Sequence, residues 1–196
     1  MDETILLVLH GSHLYGLNHA GSDMDYYRVV STQPQPNRHG GVRKRNGHQT
    51  VAGGMDDTVF DFKTFLIHAH NGVPQALEAM YAENAEKDVI EAFRNGYHAS
   101  LSAMMTSYTS AIQRFVMRDF KRRRHALRYA LNLREALDNR GRFTPELSQS
   151  NAEMITEMAS SPHYVEHLKR LSYTELHLDE EHIKALIAAD DRTNEE

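Results

Sequence analysis

The segment that most limits how this chain can fold is residues 11–25, which is rich in glycine and aspartate and is flanked by two apolar runs. It contains Gly-Ser at its start, Gly-Leu in its middle and Gly-Ser-Asp-Met-Asp at its end. The runs at 4–9 and 26–30 have the length and aliphatic or aromatic composition of buried strands. The sequence therefore predicts two strands joined by a compact turn that carries polar chemistry.

Local signals inside this segment predict a short helix and a carboxylate pair. Ser12 is a suitable N-cap for a helix that ends near Asn18. The second strand is predicted over 23–31. Because side chains alternate along a strand, Asp23 and Asp25 are expected on the same face.

Further along, strand signals give way to helical ones. A loop or flap is predicted over 32–55, which contains two prolines and two Gly-Gly pairs. Alternation predicts a third strand over 57–62, with Asp57 and Asp61 on one face. The helices predicted after it are at 63–71, 75–82, 101–116, 126–137, 151–159, 164–171 and 174–189, with an isolated helical signal around Val89, Ile90 and Phe93.

This order of elements predicts an α+β fold. We expect a small mixed β-sheet with flanking helices, followed by a helical C-terminal region. The predicted division gives an α/β core at 1–85 and a helical region at 86–196 that packs on it.

Composition excludes several classes of site. The 196 residues contain no cysteine, which removes disulfides, thiolate zinc sites and cysteine nucleophiles. No window approaches the ~20 apolar residues of a membrane helix, and no basic stretch precedes the short apolar run at the N-terminus. We therefore expect a cytoplasmic protein that does not bind membranes.

Charge is distributed unevenly along the chain. Residues 114–142 contain ten basic and three acidic side chains, whereas residues 146–196 contain twelve acidic and four basic ones. The basic segment could attract a phosphate-rich ligand, although a solvated helix face would have the same composition.

A pair of aspartates beside a Gly-Ser turn has a specific chemical use. Mg²⁺ prefers oxygen ligands and is commonly held by one or two carboxylates together with substrate phosphates. Glycine lets a backbone approach a phosphate closely, and the hydroxyl of Ser12 could donate to it. The same pattern would suit Mn²⁺.

The motif at residues 11–25 resembles the signature of the DNA polymerase β-like nucleotidyltransferase superfamily. Its longer form, Gly-Ser-x-x-Tyr-Gly-Leu ending in Ser-Asp-x-Asp, is most similar to an uncharacterised bacterial and phage branch of predicted nucleotidyltransferases. The likeness extends loosely to residue 142. It implies metal-dependent transfer of a nucleoside monophosphate from a nucleoside triphosphate (NTP), with release of pyrophosphate.

The resemblance also implies roles for individual residues. Gly11 and Ser12 would hold the triphosphate, and Asp23 and Asp25 would bind Mg²⁺ or Mn²⁺. Asp61 is predicted as the third acid and metal ligand, with Asp57 as the alternative on the same face. The further candidates for nucleotide contacts are Ser22, Lys63, Lys121, Arg124 and Arg128.

Three functions stay open at this point. The first is an active nucleotidyltransferase whose acceptor is an RNA end, a protein hydroxyl or a small molecule. The second is a catalytically inactive relative that binds nucleotides or RNA. The third is a helical interaction protein of the phage or antitoxin type. The acceptor, the preferred base and the oligomeric state are not encoded in any recognisable pattern.

Overall fold

The computed structural model describes residues 3–31, 47–51, 55–116 and 118–172, with only the backbone described at 47–51 and 55. Within these ranges there are five strands and eight helices. The strands are β1 (Thr4–His10), β2 (Met24–Val30), β3 (Gly47–Val51), β4 (Met55–Asp61) and β5 (Ala85–Asp88). The helices are α1 (Gly11–Leu14), α2 (Phe62–His70), α3 (Pro74–Tyr81), α4 (Glu91–Gly96), α5 (Leu101–Phe115), α6 (Phe120–Asp138), α7 (Gln149–Ser160) and α8 (Tyr164–Leu171).

The strands form one mixed sheet in the order β3-β4-β2-β1-β5. Only β2 and β4 pair in parallel; the other neighbours are antiparallel. This architecture confirms the predicted α+β fold with a small mixed sheet and a helical C-terminal region.

The two central strands bury one face against the helices. Val8 of β1 and Tyr27 and Val29 of β2 are buried, and the ring of Tyr27 contacts those of Phe60 and Phe65 at 5.4 and 6.1 Å. Burial of aliphatic and aromatic side chains at alternating positions fixes which face of β2 points inward. Asp25 lies on this same face, at the end of the strand.

Helix α3 is the most buried of the described helices, with seven of its eight residues buried. Pro74 occupies its first turn, where no backbone N–H is required. One continuous cluster of buried side chains extends from β1 through α3 to α5, α6, α7 and α8. The predicted division near residue 85 stays a prediction.

Several predicted boundaries were wrong. Helix α1 covers only four residues and its N-cap is His10, not Ser12. Residues 47–51 of the predicted loop form β3, which pairs with β4. Residues 85–88 form the edge strand β5 in a region predicted to be helical. The rest of the predicted flap, at 32–46 and 52–54, and the helix predicted at 174–189 lie outside the described residues.

None of the helices in the described ranges is long and apolar enough to cross a membrane.

Candidate active site

A cavity of about 470 Å³ opens between the end of β1, the start of β2 and the first half of α6. Among the residues predicted from sequence, eight line it: Gly11, Ser12, Ser22, Asp23, Asp25, Lys121, Arg124 and Arg128. Both ends of the predicted motif therefore meet the basic helix in one place, although the helix begins more than ninety positions after the motif in the sequence.

The Gly-Ser turn and Asp25 are in direct contact. His10 pairs with Asp25 across β1 and β2, so Gly11, the next residue, lies under the Asp25 carboxylate. Gly11 has a φ of +61°, and a Cβ atom at this position would overlap Oδ2 of Asp25. Glycine is required here both for the left-handed backbone and for the space that the carboxylate occupies.

The second half of the motif is organised by hydrogen bonds within the turn. The Oγ of Ser22 accepts from the N–H of His19 at 2.9 Å, and the N–H of Ser22 donates to the carbonyl of His19 at 2.9 Å. This turn precedes β2 and holds Asp23, which is exposed at the mouth of the cavity. Asp23 and Asp25 are therefore presented from a turn and a strand end, one residue apart.

The acid that joins this pair is Asp56, which the sequence interpretation missed. In the parallel pairing of β2 and β4, Asp25 lies opposite Asp56, and Tyr26 lies opposite Asp57. Residues opposite each other share a face of the sheet, so Asp56 lies on the face of Asp25. Asp56 lines the cavity.

The two acids predicted for this role lie elsewhere. Asp57 is on the other face of the sheet, where its Oδ2 accepts from Nε of Arg28 at 3.0 Å. Asp61 is the N-cap of α2: its carboxylate accepts from the backbone N–H of Thr64 at 2.9 Å and from the hydroxyl of Thr64 at 2.8 Å. Neither Asp57 nor Asp61 is among the residues that line the cavity. Lys63, one of the nucleotide candidates, is exposed in the first turn of α2 and is also not among them.

The basic residues of α6 approach the cavity from one helix face. Lys121, Arg124 and Arg128 are spaced by three and four positions and therefore lie on the same side of the helix. Lys121 is exposed, Arg124 is half-buried and Arg128 is buried. Arg122, which lies off this face, pairs with Asp119 at 3.2 Å. The cavity thus has a graded cationic wall opposite its carboxylates.

Arg128 lies at the floor of the cavity, where its guanidinium is paired within the protein. Its Nη1 donates to Oε1 of Glu78, and both side chains have at most 1% of their surface exposed. The Arg128 guanidinium also lies 3.5 Å from the ring centroid of Tyr15. The Tyr15 hydroxyl donates to Oε2 of Glu78 at 2.7 Å, and Nε2 of His10 lies 3.4 Å from the same oxygen.

This buried network has a defined charge state. Burial opposes ionisation of Glu78, but the Arg128 guanidinium, with the hydrogen bonds from His10 and Tyr15, lowers the pKa of the Glu78 carboxyl to about 2. Burial and the charge of Arg128 lower the pKa of His125, which also lines the cavity, to about 3. At neutral pH Glu78 is therefore ionised and His125 is uncharged.

Two signals in the sequence could have revealed the network. Glu78 is a lone acid inside the apolar helix α3, and the sequence analysis assigned it no role. An isolated acid at such a position requires a buried partner. Arg128 stands at the end of the basic run, where apolar residues begin to surround it.

The donor set suits a divalent cation only in part. Among the residues that the structure describes, no three His, Cys, Asp or Glu side chains converge on one point that could hold a metal ion. Asp23, Asp25 and Asp56 nevertheless provide carboxylate oxygens on one side of the cavity, which is the ligand type that Mg²⁺ and Mn²⁺ prefer. A cation at this position would need substrate phosphate oxygens to complete its ligands.

Comparison with known protein families gives a match over most of the chain. The model of a family described as the RNA repair pathway DNA polymerase beta family matches residues 3–190. No curated protein and no solved structure matches the chain. The family match bears out the resemblance that residues 11–25 carry.

Proposed function

Because this chain belongs to the RNA repair pathway DNA polymerase beta family, we propose that it is a metal-dependent nucleotidyltransferase that acts on RNA ends. The reaction transfers a nucleoside monophosphate from an NTP to a terminal hydroxyl. The observation that carries this proposal is the single cavity in which the Gly11–Ser12 turn, the carboxylates of Asp23, Asp25 and Asp56, and the cationic face of α6 meet.

In this reaction the hydroxyl of the RNA end is the nucleophile and pyrophosphate is the leaving group. The hydroxyl oxygen of the RNA end attacks the α-phosphorus and forms the new phosphodiester bond. The bond between the α-phosphorus and its bridging oxygen to the β-phosphorus breaks, and pyrophosphate leaves. The hydroxyl proton passes to a base, for which Asp56 is suited by its position beside Asp25.

Each group of the cavity has a role in this scheme. Gly11 and Ser12 line the cavity beside the Asp25 carboxylate, which packs against Gly11, and they bind the triphosphate through the hydroxyl of Ser12 and the backbone N–H groups of the turn. Lys121 and Arg124 neutralise the charge that moves onto the pyrophosphate. Arg128 acts through Tyr15 and Glu78, which hold the floor of the cavity in place.

Mg²⁺ or Mn²⁺, held by Asp23 and Asp25 with Asp56 beside them, would supply charge neutralisation on the phosphates. An RNA end is the acceptor that the family description supports. A protein hydroxyl and a small-molecule hydroxyl are the other acceptors open from the sequence, and label found on either of them instead of on RNA would contradict this choice.

The test measures transfer of α-labelled NTP to RNA oligonucleotides that end in a hydroxyl or a phosphate, with Mg²⁺ or Mn²⁺ and with chelator. We expect label only on the hydroxyl-terminated RNA, only with metal, and none with Asp23→Asn plus Asp25→Asn. A matched control, Glu91→Gln plus Glu166→Gln, removes two exposed acids that do not line the cavity and should keep full activity. Metal-independent NTP binding that survives the first double substitution, without transfer, would identify an inactive nucleotide-binding relative instead.

A further inference from the structure

The cavity has an aromatic end that the proposed phosphate and metal chemistry does not use. We call it the aromatic wall, and it consists of Phe115 at the end of α5 and His125 and Tyr129 on α6. The ring centroids of Phe115 and Tyr129 are 6.1 Å apart with an interplanar angle of 27°, and those of His125 and Tyr129 are 6.5 Å apart at 32°. All three side chains line the cavity. Phe115 and His125 are half-buried, so part of each ring remains accessible.

The rings of His10 and Tyr15 lie between the aromatic wall and the carboxylates. His10 pairs with Asp25 in the sheet, its ring is 5.7 Å from that of Tyr15, and the ring of Tyr15 is 6.3 Å from that of His125. The cavity therefore runs from an acidic end, past Tyr15, to an aromatic end. A ligand that fills it needs anionic groups at one end and a flat apolar group at the other.

The electrostatics of the aromatic wall suit an uncharged ring. His125 is neutral at physiological pH because burial and the neighbouring Arg128 disfavour its protonation. Its Nδ1 lies 3.4 Å from Nη2 of Arg128, so the geometry allows this nitrogen to accept a hydrogen bond. The partly accessible rings of Phe115 and His125, packed against the buried ring of Tyr129, form a platform of the kind on which nucleobases stack.

We propose that the aromatic wall binds the nucleobase of the nucleoside triphosphate. This inference rests on the proposed function for the position of the triphosphate at Gly11 and Ser12. The volume of about 470 Å³ is in the range of a small-ligand pocket, which suits a single nucleotide and not a longer piece of RNA. The terminal base of an RNA acceptor has the same stacking chemistry, and the test distinguishes the two sources.

Stacking predicts weak discrimination between bases, because each base has an aromatic face. The side chains of the aromatic wall include only one imidazole and one phenol group that could read base edges, and Tyr129 is buried. We therefore expect all four nucleoside triphosphates to depend on the wall to a similar extent.

The experiment compares binding of each NTP, of inorganic tripolyphosphate and of a single-stranded RNA oligonucleotide to the wild type and to Phe115→Leu, with Mg²⁺ present. Leucine keeps an apolar side chain in place and removes the aromatic face, which limits damage to the fold. We expect NTP binding to weaken roughly 5- to 100-fold and tripolyphosphate binding to stay unchanged. Phe115→Trp should restore NTP binding. Phe93→Leu serves as the matched control, because Phe93 is an exposed aromatic residue that does not line the cavity.

Other outcomes overturn the assignment. Equal NTP binding by the wild type and Phe115→Leu would show that no base stacks there. Loss of single-stranded RNA binding with unchanged NTP binding would show that the aromatic wall binds the terminal base of the RNA acceptor. If the wild type binds NTP through Phe115 but transfers no nucleotide to any RNA end, the base site stands and the proposed function fails.

Discussion

At the scale of single residues, the candidate site depends on how little space separates Gly11 from Asp25. A carboxylate can lie directly over the turn only because residue 11 has no Cβ atom. The predicted phosphate turn and the predicted metal ligands are thus one packed unit. Any side chain at position 11 must displace the carboxylate.

Two glycines allow this contact to be tested against a matched control. Gly11 and Gly16 have φ values of +61° and +63°, but a Cβ atom at Gly16 would meet nothing closer than the Leu147 carbonyl oxygen at 3.7 Å. Alanine at either position should lower the free energy of unfolding by about 1–2 kcal/mol through backbone strain alone. Gly11→Ala should destabilise further and abolish nucleotide transfer, whereas Gly16→Ala should keep it. Urea unfolding and the transfer assay measure both effects; equal activity of the two variants would contradict the contact.

At the scale of elements, the register between β2 and β4 decides which acid joins the site. The two strands pair in parallel, with Asp25 opposite Asp56. Alternation along the sequence shows which residues of β4 share a face. It does not show which of the two sets lies on the same face of the sheet as Asp25. A shift of one residue exchanges the two faces, and no short turn joins β2 to β4 that could set their register. For this reason the sequence alone could not show that Asp56, and not Asp61, lines the cavity.

The three acids of β4 should therefore respond differently to substitution. Asp56→Asn should lower the rate of nucleotide transfer roughly 100-fold or more, by loss of a charge beside the reacting phosphate. Asp57→Asn breaks only a partly exposed ion pair with Arg28 and should cost less than about 1 kcal/mol of stability. Asp61→Ala removes the N-cap of α2 and should cost about 1–2 kcal/mol. Activity and thermal unfolding of the three proteins provide the measurement, and a large loss of activity confined to Asp61→Ala would restore the original assignment.

Other elements were predictable from sequence because their signals are local. The bounds of α3 differ from the prediction by one residue at each end, and α5 differs only by one residue at its C-terminal end, since Pro74 and Ser100 mark the starts of the two helices. The edge strand β5 has the sequence Ala-Glu-Lys-Asp, which contains no strand signal. It is a strand only because β1 offers it a free edge. Long-range pairing of this kind cannot be read from a local pattern.

At the scale of the whole molecule, the sheet and the helical region are joined by charged groups as well as by the apolar core. Glu78 of α3 binds Arg128 of α6 and accepts a hydrogen bond from Tyr15, which follows α1. Asn132 of α6 lies 3.4 Å from the same carboxylate. The floor of the cavity is therefore also a connection between the two parts of the chain. Removal of one partner of a buried ion pair typically costs about 3–5 kcal/mol, so the site and the fold are coupled.

This coupling predicts a loss of stability in mild acid. The pKa of His125 falls from an ordinary value of 6.5 to about 3 in the folded protein, so between these values the unfolded chain binds more protons, and stability falls as the pH falls. The pKa of Glu78 falls from 4.5 to about 2, so its contribution is lost only below about pH 4.5. From pH 7.5 to pH 5, His125 alone should lower the free energy of unfolding by about 2 kcal/mol.

His125→Phe tests this assignment because it keeps a ring in the aromatic wall and removes the titrating group. Urea unfolding at several pH values between 7.5 and 5 should show a shallower decline for this variant than for the wild type. The same substitution at His70, which is exposed in the last turn of α2, serves as the surface control. Parallel curves for the wild type and His125→Phe would mean that the ring takes up its proton without cost in the folded state. In that case a charged imidazolium would occupy the aromatic end of the cavity in mild acid, and NTP binding would acquire a pH dependence that the neutral ring does not give.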